Sequence, residues 1–212
     1  MKTGRFVVIE GIDGAGTTTQ VARLAARLKQ GDGLSVRTTR EPSDGPIGTM
    51  IRQVLTGRIV GADGIAPGWA TMALLFAADR MDHVEVDIDP LLARGVIVLS
   101  DRYDASSVAY QSVVSGSRGE QAVDWIRTLN RYARRPDLTI VVDVPPDVAA
   151  MRREARGEAA QLYEQNEMQR ALAAFYKDLP RHLPGDRILV VDGVGSPDEI
   201  ADRVYAAYCQ PE

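Results

Sequence analysis

Apolar and polar positions along this chain follow two alternating periods. Residues 6–9, 96–99, 138–142 and 187–191 are short runs rich in Val, Ile and Leu, and residues 34–39 form a weaker fifth run. Near-continuous apolar runs of this length predict strands covered on both faces. Between the runs the period is helical. Val21, Leu24, Ala25 and Leu28 recur at i, i+3, i+4 and i+7 after the first run. Ile200, Val204 and Tyr208 form a similar stripe near the C-terminus. Ser196-Pro197-Asp198-Glu199 precedes that stripe and reads as an N-cap and first turn. Strand–helix alternation of this kind predicts an α/β fold with a parallel, doubly wound sheet. No repeat, low-complexity tract or linker interrupts the pattern, so one domain over residues 1–212 is expected. The Arg- and Gly-rich stretch 152–157 reads as a mobile segment over a site.

Composition narrows the function classes. A chain of 212 residues can bury roughly 70% of its unfolded surface and needs no disulfide or metal staple. With 45% hydrophobic and 25% charged residues it is not a disordered chain. A net charge of −4 leaves no broad basic surface for a nucleic-acid polymer. Cys209 is the single cysteine, which excludes an intrachain disulfide and a cysteine zinc cluster. His83 and His182 are too few and too far apart to suggest a metal site. No apolar run approaches the ~18 residues of a membrane span, and the first residues do not read as a signal peptide. A cytoplasmic protein without membrane partners is expected. The 25 basic residues are 22 Arg and 3 Lys, at Lys2, Lys29 and Lys177.

That split matters because of the segment after the first apolar run. Gly11-Ile12-Asp13-Gly14-Ala15-Gly16-Thr17-Thr18-Thr19 follows the phosphate-loop pattern G-x-x-x-x-G-K-[ST] in its strand–loop–helix setting. Gly11 and Gly16 hold the two glycine positions. Glycines there let backbone N–H groups curl round a phosphate, and the helix behind adds its dipole. Thr18 holds the Ser/Thr position, whose hydroxyl serves Mg²⁺. Thr17 stands where the pattern has lysine and offers a hydroxyl without charge. On this segment alone, a Gly-rich turn without a nucleotide competes evenly with a nucleotide site.

Further blocks, in order, carry a resemblance. They are Thr39-Arg40-Glu41-Pro42, Leu75-Phe76-Ala77-Ala78-Asp79-Arg80, and Asp101-Arg102-Tyr103 with Ser106 and Ala109-Tyr110-Gln111. Pro136-Asp137-Leu138-Thr139 and Val142-Asp143-Val144 follow. With the phosphate loop, they resemble the thymidylate kinase family over almost the whole chain. The resemblance implies a three-layer P-loop α/β/α fold, with a five-stranded parallel sheet and an arginine-bearing lid at about 150–162. It implies transfer of the γ-phosphoryl group of ATP to dTMP, with Mg²⁺, in a homodimer. Two departures stand out. Thr17 replaces the loop lysine, and residues 112–116 lack the Gly-rich stretch common in the family.

Residue roles follow from the resemblance, beside what the spacing itself allows. Residues of the loop from Gly11 to Thr19 (Gly11, Ile12, Asp13, Gly14, Ala15, Gly16, Thr17, Thr18 and Thr19) are implied in ATP binding. Asp13 is implied at the deoxyribose 3′-hydroxyl and Arg40 at the monophosphate, with Pro42 alongside and Glu41 as a metal-shell acid. Phe76 and Arg80 lie four apart and share a helical face, which suits stacking on a flat base and bonding its edge. The resemblance puts them on thymine and its exocyclic oxygen. Asp101 follows a sheet strand as a Walker-B acid for Mg²⁺ does, and Arg102 can grip a phosphate bidentately. Ser106 and Tyr110 share a face, with Tyr110 implied against the sugar and Gln111 at the base edge. Arg152, Arg153 and Arg156 fall on the lid, and Tyr163 follows it towards the substrate. Gly14 after Asp13 leaves the loop without arginine, so a lid arginine, Arg153 or a neighbour, is expected to stand in for the absent lysine. Asp13, Arg102 and Arg153 are the expected catalytic residues. A catalytically silent nucleotide-binding homologue, or a kinase for another (deoxy)nucleoside monophosphate, are the alternatives.

Overall fold

The computed structural model describes residues 4–116, 119–157 and 166–211. Five strands make one parallel sheet: β1 (Phe6–Glu10), β2 (Val36–Arg40), β3 (Ile97–Asp101), β4 (Leu138–Asp143) and β5 (Ile188–Asp192). Their spatial order is β2-β3-β1-β4-β5. In register, Val7 stands beside Leu99 of β3 and Leu138 of β4. β1 sits at the centre and all five of its residues are buried. That explains its unbroken apolar run, because a central strand is covered by helices on both faces. β2 lies at the sheet edge, and most of its residues are not buried, which is why its run was weaker.

Ten α-helices flank the sheet among the described residues. They are α1 (Thr17–Gln30), α2 (Pro46–Leu55), α3 (Trp69–His83), α4 (Asp89–Ala93), α5 (Asp104–Val114), α6 (Gly119–Leu129), α7 (Pro146–Arg156), α8 (Asn166–Lys177), α9 (Leu179–His182) and α10 (Pro197–Tyr208). A π-helical turn, Val84–Ile88, joins α3 to α4. The stripe Val21, Leu24, Ala25 and Leu28 is the buried face of α1. Ser196 caps α10, with Glu199 completing a reciprocal capping box. Residues 152–156 are helical rather than loop-like. Pro146 starts α7, Ala149 is fully buried, and Gly157 ends it with φ of 63°. Tyr163 and the side chain of Arg156 lie outside the described residues. No helix among the described residues is long and apolar enough to cross a membrane.

The topology fixes where a ligand can bind. β1 is followed by a crossover to β2 on one side, while β4 flanks it on the other. Strand order therefore reverses at the carboxyl end of β1, where a crevice opens in such sheets. The loop 11–16 occupies that point.

Candidate active site

The phosphate loop is shaped by close backbone approach. Gly14 and Gly16 both have φ of 93°, in the left-handed region that glycine tolerates. A Cβ on Gly14 would fall on the carbonyl oxygen of Ala149, so the loop lies directly against α7. No side chain caps α1, which leaves its first N–H groups facing the loop. Thr17 is buried, and its methyl group packs towards Gly11. Two guanidinium groups of α7 reach the loop instead. Arg152 donates to the Ala15 carbonyl at 3.3 Å and the Gly193 carbonyl at 3.0 Å. Arg153, itself buried, donates to the Asp13 carbonyl. A shallower depression beside the loop is lined by Gly14, Ala15, Gly16, Thr19, Gln20 and Arg152, with Gly195 and Pro197 opposite.

A cavity of about 140 Å³ opens on the other side of Asp13. Leu55, Phe76, Pro42 and Tyr103 form its apolar walls, and Asp13, Glu41, Arg80, Arg102, Ser106, Tyr110 and Gln111 supply polar groups. Five distant stretches of sequence converge here. Arg80 is fully buried and donates to Glu41 at 2.6 Å, to Ser107 at 3.0 Å and to Asn130. Its Nε has no partner among the described residues. Burial is the largest single influence on the Arg80 guanidinium and would lower it, but Glu41, Asp104 and Tyr103 together outweigh burial and raise it. Glu41 is steadied in turn by His83, whose Nδ1 lies 3.3 Å from its second oxygen. His83 Nε2 lies 2.7 Å from the Thr39 hydroxyl. Asp79 accepts the N–H and hydroxyl of Ser43 at 2.7 and 2.6 Å, which pins the turn after Pro42. Gln111 is buried, and neither end of its carboxamide has a partner among the described residues.

Between loop and cavity, Arg102 donates to Asp13 at 2.6 Å and to the Gly11 carbonyl at 2.8 Å. Its guanidinium lies 5.4 Å from the centre of the Tyr110 ring. Burial, ahead of the neighbouring charges, pushes the Tyr110 phenol above its usual range, so it is a neutral donor here.

Two adjacent expected residues point to different places. Arg40 pairs with Asp44 at 2.7 Å and is largely exposed, in a groove with Thr18, Thr39 and Asp101 rather than in the cavity. Glu41 faces the cavity, where Arg80 and His83 engage its two oxygens. The reason is pleating: successive residues at the end of an edge strand point to opposite sides. Thr18 and Asp101 do meet. The Thr18 hydroxyl donates to Asp101 Oδ2, and Asp101 Oδ1 is buried without a partner among the described residues. Glu10, Asn130, His83 and Tyr176 were given no site role by the sequence. Glu10 did carry a signal, since it is a charged residue closing an otherwise apolar central strand.

A glycine loop at the topological switch point, a hydroxyl–carboxylate pair behind it and a separate base-sized cavity define a P-loop phosphotransferase with a small acceptor. Comparison with known proteins agrees. A family model described as Thymidylate kinase matches residues 9–204. A probable thymidylate kinase of Pyrococcus abyssi is 39% identical over 204 residues, 96% of this chain and 95% of that protein. A thymidylate kinase of Thermomicrobium roseum is 41% identical over 207 residues, 95% of this chain and 92% of its own. One from Xanthomonas campestris is 39% identical over 205 residues, 96% of this chain and 82% of its own. The chain belongs to the thymidylate kinase family.

Proposed function

We propose that the chain transfers the γ-phosphoryl group of ATP to dTMP, giving dTDP and ADP. The observation that carries this reading is the pair of unpartnered groups in the cavity. Among the described residues, Gln111 holds an unpartnered donor and acceptor side by side, and Arg80 Nε adds an unpartnered donor. Buried polar groups left unpaired are costly, so a ligand that pairs all of them is favoured. The imide edge of thymine presents carbonyl and N–H groups that can do so. Cytosine puts an amino group where one carbonyl stands, and arginine has no acceptor for it. Phe76 supplies the apolar wall against the base, and Tyr110 crowds the sugar.

The reaction needs alignment and charge neutralisation more than covalent chemistry. Asp13 takes the 3′-hydroxyl and is itself held by Arg102. Arg102 grips phosphate oxygens between the two substrates. Arg152 and Arg153 bring positive charge to the ATP side, where Thr17 brings none. Thr18 and Asp101 would hold Mg²⁺. A hydroxyl and a carboxylate with one free buried oxygen are hard donors that suit this ion, which takes its other ligands from water and phosphate. Bound there, Mg²⁺ offsets negative charge on the β- and γ-phosphates. We further propose a cytoplasmic homodimer; exposed Met50 on α2 and Leu74 on α3 supply apolar surface for it.

An ADP-release assay with ATP-Mg²⁺ and a panel of dTMP, dUMP, dCMP, AMP and thymidine tests the reading. dTMP is expected to turn over fastest, with kcat/KM for dCMP lower by about 10²-fold or more. Release with dTMP no faster than the enzyme-free blank overturns it. Thr17 favours one second reading, a homologue that binds nucleotide without turnover. That reading predicts dTMP binding without ADP release, and activity gained on Thr17→Lys.

A further inference from the structure

Glu10 ends β1 and has no part in the roles just given, yet it is fully buried beneath them. A carboxyl group taken out of water is retained at a cost unless it is paired and hydrogen-bonded. Here every bond it accepts comes from another element. Oε1 accepts the backbone N–H of Tyr103 at 2.8 Å and of Ser106 at 3.1 Å, at the start of α5. Oε2 accepts the Ser106 hydroxyl at 2.7 Å and the Tyr176 hydroxyl of α8 at 3.1 Å. The same two hydroxyls accept from Arg102 Nη1, at 3.1 and 3.4 Å. Arg102 also has φ of 71°, the one non-glycine residue in the left-handed region among those described. Such a backbone persists only where its surroundings enforce it.

We propose that Glu10 is a positioning residue for phosphoryl transfer: through Ser106 and Tyr176 it holds the Arg102 guanidinium and the first turn of α5 in register with the phosphate loop. The inference rests on the reading of Arg102 as a phosphate-gripping group. An arginine aimed from below by fixed hydroxyls needs no rearrangement when the phosphates arrive, and that preorganisation serves the transition state more than substrate binding.

The charge on Glu10 gives the proposal a signature. Burial pushes its carboxyl up to about 7, against the opposing pull of Arg102, Ser106, Tyr103 N–H and Tyr176. The groups facing it are Arg102, Ser106 and Tyr110 from the β3–α5 side and Tyr176 from α8, while β4 presents apolar Val141. Burial holds both phenols neutral well above the neutral range. The ionised carboxylate accepts all four bonds and attracts Arg102; the protonated form must donate one and attracts nothing. kcat therefore rises with pH through an inflection at or above 7, since bound phosphates add negative charge and push the carboxyl further up.

Glu10→Gln tests this. The carboxamide oxygen can keep both backbone N–H bonds, and the two hydroxyls can turn to accept from its nitrogen, so only the charge is lost. kcat is expected to fall about 10–100-fold, with dTMP affinity within about threefold of wild type, as for a misaimed group. The neutral-range inflection should vanish, leaving a low, flat profile. Glu10→Gln with wild-type kcat and an unchanged pH profile overturns the proposal. If that variant does not fold, Tyr176→Phe decides: a kcat reduced by about threefold or more at unchanged dTMP KM supports it, and an unchanged kcat overturns it. Arg102→Lys at wild-type kcat overturns both the proposal and the reading beneath it. Arg102→Lys impaired while Glu10→Gln and Tyr176→Phe match wild type overturns the positioning role alone.

Discussion

The two sides of the site, the loop proposed for ATP and the cavity proposed for dTMP, are built from different materials. The phosphate loop is mostly backbone. Its glycines, the uncapped start of α1, and carbonyls held by Arg152 and Arg153 make up the cradle. The acceptor cavity is mostly side chain, with Arg80, Glu41 and Asn130 locked in a buried polar network and Gln111 buried in the same lining. A backbone-built cradle depends on where the chain can go and tolerates changes of side chain. A side-chain network depends on every partner. On this contrast, a change of side chain such as Thr17 at the lysine position of the pattern is easier to accommodate in the loop than a change in the cavity network.

Arg80→Met should break the cavity side hardest. It leaves Glu41 buried without its cation, and losing one partner of such a pair costs about 3–5 kcal/mol. Chemical denaturation should show the shift in midpoint, and an unchanged midpoint would contradict the network argument. Gly14→Ala should break the loop side with a smaller loss of stability, about 1–3 kcal/mol, because it strains one backbone position against Ala149. Its main effect should be an ATP KM raised about 10²-fold with dTMP affinity retained, measured by titrating each substrate separately. The smallest effect is expected of Thr17→Lys. With Arg152 and Arg153 already on the loop, kcat should change by less than about tenfold, below the ~10²–10³ of a lone charge donor. A larger gain would assign the missing charge to that position after all.

Much of the fold was legible because it follows local periodicity. Central β1, the α1 stripe and the Ser196 cap depend on burial and capping rules that act over a few residues. The phosphate loop was legible for the same reason, being one continuous segment. The cavity was legible only through the ordered blocks, since Phe76 or Tyr110 alone reads as core. Other features were not legible. Tyr176 meets Glu10 across 166 positions of chain, and Asn130 meets Arg80 across 50. Neither contact leaves a pattern at a period of 2 or 3.6. Arg40 and Glu41 show the limit within one block: adjacent residues were assigned to the phosphate and the metal, and pleating sent one to an exposed groove and the other into the cavity.

By itself the sequence determined a parallel α/β sheet, a glycine loop after its central strand and a loop position without its cation. These are consequences of local sterics and of which residues leave water. Tertiary structure decided which side chains stand beside the uncharged loop position and which surround Arg102. α7 lies against Gly14 and brings two guanidinium groups to the loop, and Glu10 binds α5 and α8 beneath Arg102. The 22 arginines of the composition thus divide by place rather than by type. A guanidinium acts on a phosphate only where packing brings it within a few ångströms, and that distance is set by helices meeting across the sheet.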